Sequence, residues 1–438
     1  MKVIRRAPAD LPPARAPGKP PRRRFLSRFL GRISGALGLS FFGFDFIKLL
    51  KMHGFFSLGT NLSGVFVGVF FIKAGSSLAA VCLFYLFCYA FEALGNVFAA
   101  GLAGKYPAAF ITRAGLVFIT LFYILLLAAP GFAARHYPLA AALTGIGNAM
   151  YWPPYQNYCV EYTHMGNRQK GVSLLGLLGN FIALLTPLIA GLVTSRLPGA
   201  AGYAVIFAVS VSALFVSFVV TRGMPSKPTG RKGNPVFHIL LREIKDRAIA
   251  SMVLMAVFYG LRDGIYLYYL NILIYTLARN EMAVGLGIAA RSVVAMLAWL
   301  LLARFLPPSR RTASYFAAGL AGLFASALLR AVPALFVVLA VYVADMVFQV
   351  VSYNALQFAA YDTADYLSRS GENRRPDVIA LRIFALNIGR CAGIAVFLLL
   401  PITGAAVWPL ILLNALSLPG VLFARGLSSH IKKTARAG

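Results

Sequence analysis

FYGLRDGIYLYYLNILI, residues Phe258–Ile274, sets an arginine beside an aspartate inside an otherwise apolar, tyrosine-studded run. The chain around it has 438 residues, 59% hydrophobic and 13% charged, with a mean hydropathy of +0.75. Soluble domains are about a quarter charged, so this composition belongs to the membrane class. Apolar segments of about 20 residues, each able to cross a ~30 Å hydrocarbon core, recur along the chain. Arg262 and Asp263 therefore fall inside a spanning helix, where an ionisable group is expensive and faces a cavity or a partner.

Working outward, twelve spans lie near 53–73, 77–102, 111–130, 137–158, 171–194, 202–222, 248–275, 282–305, 312–330, 333–357, 378–400 and 405–425. The 42 Lys and Arg against 13 Asp and Glu give a net charge of +29. The basic residues gather in the N-terminal tail and in alternate loops, at Arg168 and Lys170, at Arg222 to Arg247, at Arg310 and Arg311, and at Arg374 and Arg375. By the positive-inside rule both termini and the central loop are cytosolic, and the span number is even. That distribution, without any RNA- or DNA-binding motif, argues against nucleic acid as a partner.

The organisation follows. Residues 1–51 read as a basic, proline-rich cytosolic tail and an interfacial helix. In that helix Phe25, Leu26, Phe29, Leu30 and Ile33 alternate with Arg24, Arg28 and Arg32, a pattern suited to anionic lipid headgroups. A spanning helix over 33–50, burying Asp45 and Lys48, is the competing reading. Residues 52–222 hold six spans, 223–247 a cytosolic linker with an amphipathic helix from Val236, 248–426 six more spans, and 427–438 a basic tail. The halves repeat weakly at an offset of 200, with Gly64-Val65-Phe66 against Gly264-Ile265-Tyr266 and Leu102-Ala103 with Pro107 against Leu302-Ala303 with Pro307. An internal duplication is the expectation.

Polar residues sit deep in particular spans: Asn61 in the first, Glu92 in the second, Asn148 in the fourth and Asn180 in the fifth. In the second half they are Arg262 and Asp263, Arg291, Asp345 and Gln349, and Asn387 and Arg390. Spans three, six, nine and twelve have no charge at mid-membrane. A period of three results if every third helix packs outside while the rest surround a polar cavity. The predicted fold is an all-α polytopic membrane protein of twelve transmembrane helices in two pseudo-symmetric six-helix bundles.

On that pattern the chain resembles the major facilitator superfamily over roughly residues 52–426. The family's loop pattern between spans two and three appears as Ala100-Gly101-Leu102-Ala103-Gly104-Lys105, with Gly104 where an acidic gate residue is usual. The span-five antiporter signature appears as Thr186-Pro187-Leu188-Ile189-Ala190-Gly191. The resemblance implies spans one, four, seven and ten around a central cavity and rocker-switch alternating access. It implies a secondary transporter, with export favoured by the span-five signature.

Adjacent helical residues point ~100° apart, so Arg262 and Asp263 have different partners. Arg262, Tyr266 and Tyr269 form an i, i+4, i+7 stripe suited to a cavity wall, with Asp263 turned to Arg291 or Arg390. The other reading makes these charges structural pairs within the second bundle. Pro153 and Pro154 predict a kinked or unwound span four, offering Tyr155 and Gln156 to the cavity's inner end. Asn61, Asn148 and Gln349 complete the expected substrate contacts. Glu92 and Asp345 are the candidate proton carriers, with Asp263, Arg291 and Arg390 as charge partners. An excess of arginine in the second half points to an anionic or zwitterionic organic solute.

A flippase or exporter of a lipid-like amphiphile and a membrane-embedded enzyme are the rivals. No catalytic constellation supports an enzyme. The four cysteines and five histidines lack metal-ligand spacing, and no G-x-x-x-x-G-K-[ST] occurs. No cofactor or metal is expected. The partners are a small-molecule substrate and the bilayer of a plasma (inner) membrane.

Overall fold

A computed structural model of the chain describes residues 42–427, apart from 74–75, 165, 198–199, 229, 231–233, 267, 280, 308–309, 333, 369–373 and 401–407. The long helices of the first half are α1 (Phe44–Lys73), α2 (Leu78–Leu102), α3 (Ala108–Ala128), α4 (Tyr137–Glu161), α5 (Arg168–Arg196) and α6 (Ala200–Thr221). Those of the second half are α7 (Arg247–Tyr266, continued by Tyr269–Ala278), α8 (Glu281–Phe305), α9 (Arg311–Ala331), α10 (Leu335–Leu367), α11 (Arg375–Leu399) and α12 (Trp408–Ser417). Among the described residues, ten helical stretches are long and apolar enough to cross a membrane. The other two, α1 and α4, have 30 and 25 residues. At ~1.5 Å per residue both exceed a ~30 Å core.

Helix packing carries the symmetry. In the first half α1 packs on α5 and α6, α2 and α3 on α4, and α3 on α6. In the second, α7 packs on α11 and α12, α8 and α9 on α10, and α9 on α12. Each contact recurs six helices later, and the joins between bundles, α2 on α11 and α5 on α8, exchange under the same operation. The equivalent helices α1 and α7, α2 and α8, and α3 and α9 start 203 residues apart (44 against 247, 78 against 281, 108 against 311). Other pairs are offset differently, α4 and α10 by 198 (137 against 335) and α5 and α11 by 207 (168 against 375), so the repeat keeps no single offset along the chain.

Four glycines let α7 and α11 approach closely. Gly260 and Gly264 on α7 meet Gly389 and Gly393 on α11, and a Cβ added at Gly264 would lie 2.6 Å from the Arg390 carbonyl oxygen. This is the small-xxx-small spacing by which membrane helices bring their backbones together.

Several expectations change in detail. The first spanning helix begins at Phe44, so 44–51 belong to it, and Asp45 and Lys48 pair on it at 2.9 Å. Of the basic tail and interfacial helix expected over residues 1–51, residues 1–41 lie outside the described residues, as do 428–438 of the basic tail expected over 427–438. Within span seven, expected over 248–275, the helix is interrupted at Tyr268, a turn residue with φ −129°, before Tyr269. Its continuation ends at Arg279 in a left-handed conformation, φ 50°. By contrast α4 stays helical through Pro153 and Pro154. Neighbouring helices packed on both flanks stabilise such a proline-bearing span.

In the linker, Asn234 caps a short helix, Pro235–His238, by accepting from Val236 N at 3.1 Å. Its Nδ2 donates to the Val97 carbonyl at 2.6 Å, tying the linker to α2. Val236 and Ile239 are buried, while Phe237 is 54% and Leu241 81% exposed. The amphipathic segment is therefore one short turn and a π-helical stretch, Ile239–Glu243.

Candidate functional site

A cavity of about 570 Å³ opens between the bundles, walled by residues of α1, α2, α4, α5, α7, α8, α10 and α11. Among its described lining none comes from α3, α6, α9 or α12, the helices whose middles carry no charge. The cavity reaches Gln357 and Arg382 on the side of the central linker. A second chamber of about 300 Å³, on the opposite side, shares Asn61, Asn180, Ala183, Met346 and Gln349 with it.

Of the residues singled out from the sequence, Asn61, Glu92, Asn148, Tyr155, Gln156, Asp263, Gln349 and Arg390 line the main cavity. Arg291 lines the second chamber with Asn61 and Gln349. Four lie elsewhere. Arg262, 1% exposed, points into the second bundle and is ion-paired with Asp345 of α10. Its Nε donates to Asn414 Oδ1 of α12 at 2.6 Å. Its guanidinium lies between the rings of Tyr266, 3.9 Å from the centroid, and Phe348, 3.8 Å. The Tyr266 hydroxyl meets Ser326 of α9 at 2.9 Å, and Asn414 Nδ2 donates to both hydroxyls. Tyr269 packs edge-on against Phe397. The expected stripe Arg262–Tyr266–Tyr269 thus faces the bundle interior, and Asp345 neutralises Arg262 there. The reason is the ~100° between neighbouring helical residues: turning Asp263 to the cavity turns Arg262 away.

At the cavity, Asp263 Oδ2 accepts from Arg390 Nη2 at 2.7 Å and Nε at 2.8 Å. Tyr259 donates to Asp263 Oδ1 at 3.2 Å, and Gln349 Nε2 reaches the same oxygen at 3.5 Å. Arg390 also donates to Asn387 Oδ1 at 3.0 Å and lies over the Tyr89 ring. Glu92, across the join on α2, lies close enough to Arg390 to feel its charge, while the ion pair of Arg390 is with Asp263. In the second chamber Arg291 donates to Gln349 Oε1 and to Met346 Sδ, and stands over Tyr342. Among the described residues it has no carboxylate partner.

Arg382 is the cavity residue that hydropathy alone passes over. It is 0% exposed, donates from Nη2 to Gln156 Oε1, and stands over the Tyr353 ring. Its Nε and Nη1 are buried without a hydrogen-bond partner among the described residues. The available signal was helical spacing, since Arg382, Leu386 and Arg390 recur at i, i+4, i+8 on one face of α11. An aromatic wall adjoins this end of the cavity. His53 stacks on Tyr155 at 4.2 Å and its Nδ1 meets the Tyr151 hydroxyl at 3.0 Å, with Trp152 set edge-on.

Gly104 leaves the loop between α2 and α3 without an acidic latch. On the linker side an ion pair between bundles is instead Arg168 of α5 with Asp365 of α10, 3.0 Å, and Asp365 also accepts from Arg375 at 3.0 Å.

The family model described as Major Facilitator Superfamily matches residues 49–394. A Bacillus subtilis (strain 168) protein, "Uncharacterized protein YqgE", is 28% identical over 379 residues, 86% of this chain and 85% of that protein. Among solved structures, the transporter FucP in the outward conformation has a TM-score of 0.66 at 14% identity, covering 87% of this chain and 98% of that one. A bacterial homologue of the human drug peptide transporters PepT1 and PepT2 has a TM-score of 0.64 at 14% identity, covering 90% and 99%. At these identities the two structures share the fold.

Proposed function

Because the chain belongs to the Major Facilitator Superfamily, and so is an integral multi-pass transporter of small molecules rather than an enzyme, we propose that it is a proton-coupled secondary transporter of a small organic anion or zwitterion. The observation that carries this reading is the charge balance of the two joined cavities. Their described walls hold three arginines, Arg291, Arg382 and Arg390, against two carboxylates, Glu92 and Asp263, besides the imidazole of His53. A guanidinium without a counter-charge favours an oxyanion on the cargo.

Glu92 is the proposed proton carrier, since Asp263 holds Arg390 in an ion pair and leaves Glu92 as the cavity carboxylate with no ion pair among the described residues. Asp345, the other candidate, is committed to Arg262 away from the cavity. The basic alternate loops support cytosolic termini in a plasma (inner) membrane, with anionic headgroups against the N-terminal segment. Thr186-Pro187 with Gly191 on α5 supports export.

The test is transport by the reconstituted full chain. Everted vesicles acidified inside should accumulate an organic anion or zwitterion at least tenfold over vesicles without a pH gradient. Glu92→Gln should keep counterflow exchange while losing that accumulation. Transport of cations alone, or a Glu92→Gln protein that still responds to the gradient, would sink the respective part of the proposal.

A further inference from the structure

Three guanidiniums at or beside the cavity can be compared within this one chain. Arg262, buried, has Asp345, and Arg390, 14% exposed, has Asp263. Arg382 is the most deeply buried of the three, yet its neighbours are the Gln156 carboxamide and the Tyr353 ring, and two of its nitrogens have no acceptor among the described residues. Taking a charge out of water costs several kcal/mol unless it is paired and its hydrogen bonds are satisfied. The chain supplies a carboxylate at two of the three sites and, among the described residues, none at the one bordering the linker-side end of the cavity.

We infer that Arg382 anchors an oxyanion of the cargo, a carboxylate or a phosphate. This rests on the anionic-cargo reading above and assigns its site. A guanidinium offers an oxyanion two forked edges, Nε with Nη2 and Nη1 with Nη2, and Nη2 contributes one of its two N–H groups to each. Gln156 Oε1 accepts from Nη2 and so takes one edge. The other edge keeps the second Nη2 hydrogen and a nitrogen that has no acceptor among the described residues. It can receive both oxygens of a carboxylate or phosphate while Gln156 stays in place. Gln156 is itself held through Nε2, which donates to the Tyr353 hydroxyl at 3.2 Å. With Gln156 on α4 and Arg382 on α11, the seated cargo lies against a contact between the bundles.

The experiment is a thermal-shift titration of the purified full chain in detergent with glutarate, benzoate and phenyl phosphate, with choline as a cationic control. A compound bound only by the folded state raises its melting temperature by mass action. In the wild type at least one oxyanion probe should give a saturable shift. Response to the carboxylates alone, or to phenyl phosphate alone, supports the site and fixes which oxyanion it takes. Arg382→Gln should need at least tenfold more probe for the half-maximal shift, with Arg382→Lys in between. Gln156→Glu should also need at least tenfold more, because it sets a carboxylate against the guanidinium and supplies the counter-charge the cargo would bring.

If Arg382→Gln folds and responds like the wild type, the site is wrong while the anionic-cargo reading stands. If no oxyanion shifts the wild type, both fall. Should the Arg382 variants fail to fold, Gln156→Glu decides, since an unchanged response overturns the site.

Discussion

Arg262→Ala is expected to destabilise the protein by about 3–5 kcal/mol, the usual consequence of removing one partner of a buried ion pair. The substitution strands the Asp345 carboxylate, 3% exposed, among the helices of the second bundle. It also removes the donor to Asn414 Oδ1 and the cation between the Tyr266 and Phe348 rings. Asp345→Ala should be comparably damaging, as it strands the guanidinium. The double substitution Arg262→Met with Asp345→Leu should recover most of the loss, because two apolar side chains of similar volume leave no buried charge. Melting of the detergent-solubilised variants measures all three. Any variant that folds should keep the wild-type oxyanion response, since neither group lines the cavity. A single Arg262→Ala as stable as wild type would show that this pair does not hold the bundle together. Loss of the oxyanion response in a folded variant would return Arg262 to the cavity.

The contrast between Arg262 and Arg382 shows what the sequence could and could not reveal. Hydropathy and loop charge locate a residue along the membrane normal, so the twelve spans, the uncharged middles of α3, α6, α9 and α12, and the depth of Glu92, Asp263 and Arg390 were all legible. They do not locate a residue around its helix axis. For that the partners are needed, and these are remote in sequence: Arg262 meets Asn414 across 152 residues, and Arg390 meets Asp263 across 127. The tyrosines at i+4 and i+7 made Arg262 look like a cavity residue, yet equally suit a cation wrapped by rings inside a bundle. Asn414, a single amide in an outer helix, was the sign that α12 offered α7 a polar partner. Arg382 lacked prominence because it stands only a turn or two inside the helix start marked by Arg374 and Arg375, where a base is ordinary. The interruption at Tyr268 falls on neither a proline nor a glycine, so nothing local announced it.

Gly393→Val is expected to abolish recovery of monodisperse folded protein, and Gly389→Val and Gly260→Val to do nearly the same. A Cβ at Gly393 would run into the Leu261 carbonyl oxygen, at Gly389 into that of Val257, and at Gly260 into that of Leu386. These obstacles are backbone atoms of the facing helix, so no rotamer change relieves the clash and α7 and α11 must separate. Overpacking a close-packed site costs about 1–3 kcal/mol when side chains can shift, and more where only whole helices can. Separation here has a second consequence. Arg390 lies between Gly389 and Gly393, and Asp263 precedes Gly264, so the spacing that admits the two backbones also sets the 2.7 Å ion pair. The Arg-Asp dipeptide inside an apolar run is thereby accounted for: its flanking glycines, Gly260 and Gly264, press α7 against α11, which gives Asp263 to Arg390 at the cavity and leaves Arg262 to Asp345 within the bundle. The control is Gly131→Ala, where an added Cβ meets nothing within 4 Å and the melting temperature should hold or rise slightly through helix propensity. If Gly393→Val purifies as a folded protein with a melting temperature near that of the control, the close seam between α7 and α11 does not exist, and the placement of both charges would need another cause.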